Sequence, residues 1–72
     1  MAARSVPLVP HLTGREADIL RLIADGLGND AIAVQLHFGV GTIKVHVRDI
    51  LGKLHAANRA EAAARGIRAG LI

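Results

Sequence analysis

The chain has 72 residues, no cysteine, a single aromatic residue (Phe38) and 51% hydrophobic residues, which points to one small domain with an aliphatic core and excludes disulfides and thiolate metal sites. Its net charge of +3 is unevenly divided: residues 1–40 set Arg4, Arg15 and Arg21 against Glu16, Asp18, Asp25 and Asp30 (−1), whereas residues 41–72 set Lys44, Arg48, Lys53, Arg59, Arg65 and Arg68 against Asp49 and Glu61 (+4). No apolar run reaches the ~18 residues of a membrane span and no apolar leader core opens the chain, so no membrane partner is expected and the expected setting is cytoplasmic.

Residues 1–11, with Pro7 and Pro10 among small and apolar residues, read as an extended arm or linker remnant, and the folded unit is expected over residues 12–72. Thr13-Gly14-Arg15-Glu16 is a capping box that opens a first helix. Ile19, Leu20, Ile23, Ala24 and Leu27 recur on it at helical spacing, and Gly26 and Gly28 end it. Asn29 is placed to cap a second helix of about eight residues with Ile32, Ala33 and Leu36 facing inward, which His37, Phe38 and Gly39 break.

A third helix runs from about Val40 to Leu54 and gathers Ile43, Val47, Ile50, Leu51 and Leu54 on one face. Turned away from that face are Val45, Arg48 and Gly52, flanked by Lys44 and Asp49. His46 lies at the edge of the apolar stripe, where packing is favoured over base reading. Gly52 reads as a tolerated glycine on the outer side. A short apolar helix, a tight break and a longer helix with a basic outer face make the layout of a helix-turn-helix whose second helix enters the DNA major groove. Asn58-Arg59-Ala60-Glu61 then repeats the capping logic for a fourth helix that runs to about Ala69, before Gly70. Spacing points Ala60, Ala63, Ala64, Ile67 and Leu71 inward. It leaves Ala62, Arg65 and Ala69 as an outer strip on which a second copy could dock.

The run LTGRE, ILRLIADGLGNDAIAVQL, GTIKVHVRDILGKL and NRAEAAARG resembles the LuxR-type (GerE-like) DNA-binding domain at the C-terminus of NarL/FixJ response regulators and of quorum-sensing regulators, over nearly all of residues 12–72. Thr13, Arg15 and Glu16 match the opening of the family's first helix. Asn29, Ile32 and Ala33 match its second, and Thr42, Ile43, Lys44 and His46, followed by Ile50, Leu51, Lys53 and Leu54, match its recognition helix. The chain departs from the pattern at Gly39, where a Ser or Thr cap is usual, at His37, where Gly is usual, at Ala31 for Glu, and at Asp30 for a residue that is often basic. A non-glycine residue at position 37 implies left-handed backbone strain.

The resemblance implies an all-α, four-helix domain that binds double-stranded DNA in a transcriptional regulator. Lys44 and Arg48, four apart, project from neighbouring turns: Arg48 suits the O6 and N7 acceptors of guanine, Lys44 addresses the same acceptors as a point charge, and Val45 suits a thymine methyl. Thr42 and Asn29, each at a helix start, are expected to hold phosphates, with the N-cap role of Asn29 standing beside that reading. Lys53 and Arg59 are further candidates for phosphate contact. Ala62, Arg65 and Ala69 are expected to form a weak homodimer contact that DNA strengthens, and a regulatory domain on a longer chain is a possible partner.

Catalysis finds little to work with. His11, His37, His46 and His55 include no pair three or four apart, so no metal site is expected, and Ser5 is the only serine, so neither an enzyme nor a cofactor is expected. The alternative from another class is a helical protein-interaction or dimerisation module on this scaffold that has lost DNA binding, favoured by Asp30, Ala31 and Gly39.

Overall fold

The computed structural model describes residues 11–72, and the arm expected over residues 1–11 lies, but for His11, outside them. Among the described residues there are four helices and no strand: α1 (Gly14–Ala24), α2 (Asn29–Leu36), α3 (Val40–Leu54) and α4 (Arg59–Arg68). None is long and apolar enough to cross a membrane. α1 opens as its capping box dictates, with the Glu16 N–H donating to Thr13 Oγ1 at 3.1 Å and the Thr13 N–H donating to Glu16 Oε1 at 2.9 Å. α4 opens on Asn58, whose Oδ1 accepts from the Glu61 N–H at 2.8 Å. The Glu61 carboxylate reaches one residue further back than a capping box would have it, to the Ala57 N–H.

All four helices end on the same device, in which a left-handed residue lets its own N–H and that of the next residue reach back to the last carbonyls. After α1 the Gly26 N–H donates to the Ile23 carbonyl and the Leu27 N–H to the Leu22 carbonyl; α4 ends likewise through Gly70 and Leu71. Glycine takes the positive φ without strain at Gly26 (91°) and Gly70 (72°). α2 and α3 end the same way on histidines, His37 at φ 61° and His55 at φ 53°. The strain expected at His37 is therefore present, and His55 carries its counterpart at the far end of α3.

The aliphatic stripes of α1, α2 and α3 meet in one core of Ile19, Leu20, Ile23, Ile32, Ala33, Ile43, Ile50 and Leu54, with Leu27, Leu36, Val47 and Leu51 packed at its margin. Ala24, expected in the α1 stripe, is exposed. The larger correction falls on α4. Ala62, placed by spacing on the outer strip, is fully buried, whereas Ile67, placed inward, is 60% exposed and Ala60 and Ala64 are exposed with it. Close packing explains the reversal. α4 approaches α1 so nearly that a Cβ added at Gly66 would stand 2.6 Å from Leu20 Cδ2, so the side facing α1 is the one lined by the smallest residues.

Candidate nucleic-acid interface

α3 is held at its back by Ile43, Ile50 and Leu54, all buried, with Val47 and Leu51 packed beside them, and the opposite positions of the same helix are thereby forced to the surface. Lys44, Val45 and Arg48 are exposed together, Val45 at 47%. Neither Lys44 nor Arg48 takes part in an internal ion pair among the described residues, so both are available to an external acceptor. Gly41 and Gly52 continue the same face, one near each end of α3, and open space surrounds both. Thr42 is exposed in the first turn, where Gly39 caps the helix without a side-chain hydrogen bond.

The turn between α2 and α3 is clamped by rings. The Arg15 guanidinium lies 4.7 Å from the Phe38 ring centroid, and His46 stands at 6.3 Å on a tilted ring. His46 is half-buried in this packing.

Three of the four residues expected at phosphates, Lys53, Arg59 and Asn29, have internal partners that spacing did not anticipate. Lys53 Nζ donates to Glu16 Oε1 at 2.7 Å, tying the last turn of α3 to the first turn of α1. Glu16 is buried at 5% exposure. Burial raises its carboxyl pKa, but the hydrogen bonds from Lys53 and from the Thr13 backbone and side chain, with the Lys53 charge, outweigh it and hold the group below the ordinary carboxylate value. Arg59, half-buried at the start of α4, donates from Nη1 to Asn29 Oδ1 at 2.9 Å and from Nη2 to the Leu27 carbonyl at 3.0 Å. Asn29 is the first residue of α2 and not its cap, a position that Gly28 fills with no side chain to offer. Both pairs join residues 30 or more apart in sequence, and no local pattern announces them.

Of the strip expected at a dimer contact, only Arg65 stands in the open, where it faces Glu61 at 3.7 Å; Ala62 belongs to the core and Ala69 is half-buried.

A tri-helical core that holds a short helix and a longer, outwardly basic one across a tight turn defines a helix-turn-helix domain. Residues 10–65 match the family described as bacterial regulatory proteins, luxR family (GerE). The chain belongs to that family and is a DNA-binding domain of its transcription regulators. It is 51% identical over 55 residues, 76% of its length, to the nitrate/nitrite response regulator NarL of Escherichia coli K12, of which it covers 26%. It is 43% identical over 65 residues to the response regulator VraR of Staphylococcus aureus, covering 90% of this chain and 31% of VraR. The chain thus spans about a quarter to a third of the curated relatives it matches. A solved structure of the transcription factor GerE superposes with a TM-score of 0.78 at 30% identity, over 83% of this chain and 90% of that one. The Vibrio cholerae VqmA–ligand–DNA complex has the same fold, with a TM-score of 0.78 at 20% identity over 99% of this chain and 31% of that one.

Proposed function

We propose that this domain reads double-stranded DNA sequence-specifically, with α3 in the major groove, Arg48 and Lys44 on guanine acceptors and Val45 against a thymine methyl. The observation that carries this is the joint exposure of Lys44, Val45 and Arg48 on the one face of α3 that the core leaves free. Thr42 and Asn29, at the starts of α3 and α2, hold phosphates and fix the register. Lys53 and Arg59 brace the frame from within, and no catalytic role is assigned to any residue.

Two copies bind two half-sites. Their contact runs through the outer face of α4, now Ala60, Ala64 and Ile67 in place of the strip centred on Ala62, and it is weak in free solution because so little apolar area is available. On DNA the two copies stand at high effective concentration, so a marginal contact becomes cooperative binding. The greater length of the relatives supports an effector role within a longer cytoplasmic regulator.

Selection of bound sequences from a random duplex pool tests the reading. Enrichment of a motif with guanine-containing half-sites supports it. Salt-dependent binding without enrichment demotes α3 to a phosphate-binding surface, and absence of any duplex binding leaves the protein-interaction module.

A further inference from the structure

Arg59 begins α4, yet its guanidinium reaches across to the start of the helix-turn-helix, onto Asn29 Oδ1 and the Leu27 carbonyl. A guanidinium carries donors only, so the amide that faces it must present its oxygen. The orientation of the Asn29 amide is thereby settled by chemistry: Oδ1 is turned to Arg59, and the two N–H groups of Nδ2 are turned away from it. Among the described residues Nδ2 has no acceptor. Two donors of one planar group grip the side chain of Asn29 and the backbone two residues before it, which fixes the rotamer as well as the amide. α2 is the helix that lies across the DNA backbone in this architecture.

We infer that Arg59 is a positioning residue for DNA binding: it holds Asn29 so that Nδ2 donates to a duplex phosphate, and it does not itself touch the DNA. The inference rests on the duplex-binding reading above. It replaces the direct phosphate contact expected of Arg59 by an indirect one, and it makes α4, far from the base-reading face in sequence, part of the binding apparatus. Because the amide is ordered before DNA arrives, its rotamer entropy is not lost again on binding.

The experiment titrates a duplex of about two helical turns, recovered from the selection, with the wild-type domain and with Arg59→Ala, Arg59→Lys, Asn29→Ala and the double Ala variant, over a salt series. Circular dichroism confirms that each is folded. Arg59→Ala and Asn29→Ala are each expected to weaken binding about three- to tenfold on every sequence alike. The double variant is expected to be no weaker than either single, and Arg59→Lys, which keeps one donor on Asn29, to recover part of the loss. Because Asn29 is neutral, the slope of log K against log salt should stay at its wild-type value in Arg59→Ala. A slope shallower by about 0.9, with additive losses, means that Arg59 meets a phosphate directly and overturns the inference. Unchanged affinity with a lowered melting temperature overturns it too, leaving Arg59 a structural role only. If Arg59→Ala does not fold, Arg59→Lys measured with and without Asn29→Ala gives the same decision. A wild-type domain that binds no duplex sinks the DNA reading itself, and this inference with it.

Discussion

Lys53 and Glu16, 37 residues apart, are joined at 2.7 Å, so the end of α3 is fastened to the beginning of α1 by a carboxylate that has little other exposure to water. Fastened so, the last turn of α3 is braced against α1.

That pair makes stability depend on pH. The Glu16 carboxyl is held below its ordinary value in the folded chain, so its contribution is fully present above that ordinary value and is lost as pH falls from there through the lower folded-state value. Urea unfolding between neutral pH and about pH 3 should show this loss, and Glu16→Gln should flatten it while costing about 1–2 kcal/mol at neutral pH. A Glu16→Gln variant that retains the whole acid slope would show that other carboxylates carry it.

Arg48→Ala should lose about 1–3 kcal/mol of binding and relax preference at one base pair of each half-site. Thr42→Ala should weaken all sequences alike. Isotherms on a set of single-base variants distinguish these two patterns, and uniform weakening by Arg48→Ala would demote it to a phosphate contact.

Two helical glycines should respond to alanine with opposite sign. At Gly66 the new methyl meets Leu20, itself fully buried, and the domain should lose about 1–3 kcal/mol. At Gly52 the methyl enters open space and improves helix propensity, a gain of up to about 1 kcal/mol. Thermal or urea unfolding of both variants checks the pair.

Ile67→Glu should abolish cooperative binding to a two-site duplex while leaving single half-site affinity nearly intact. Ala62→Glu, by contrast, places a charge in the core and should unfold the domain. Cooperativity that survives Ile67→Glu means that the outer face of α4 is not the contact.

α1 to α3 were legible because large aliphatic residues at 3.6-residue spacing leave little choice of phase, and Ile19, Ile32, Ile43 and Ile50 all fall where their spacing puts them. α4 was not. Its alanines carry almost no directional signal, and ranking side chains by hydrophobicity turned Ile67 inward, whereas the approach to α1 selected for smallness and turned Ala62 and Gly66 inward. The exposure of Lys44, Val45 and Arg48 followed from the phase of α3. The partners of Lys53 and Arg59 depend on how helices close on one another in space, which a local pattern does not encode.

Within α3 the residues that hold the core and the residues that face outward form two sets with no shared member: Ile43, Ile50 and Leu54 on one side, Lys44, Val45 and Arg48 on the other. Mutation is therefore free to rewrite the second set without passing through an unfolded intermediate. Substitutions on the outer face can change what α3 presents while the domain stays folded.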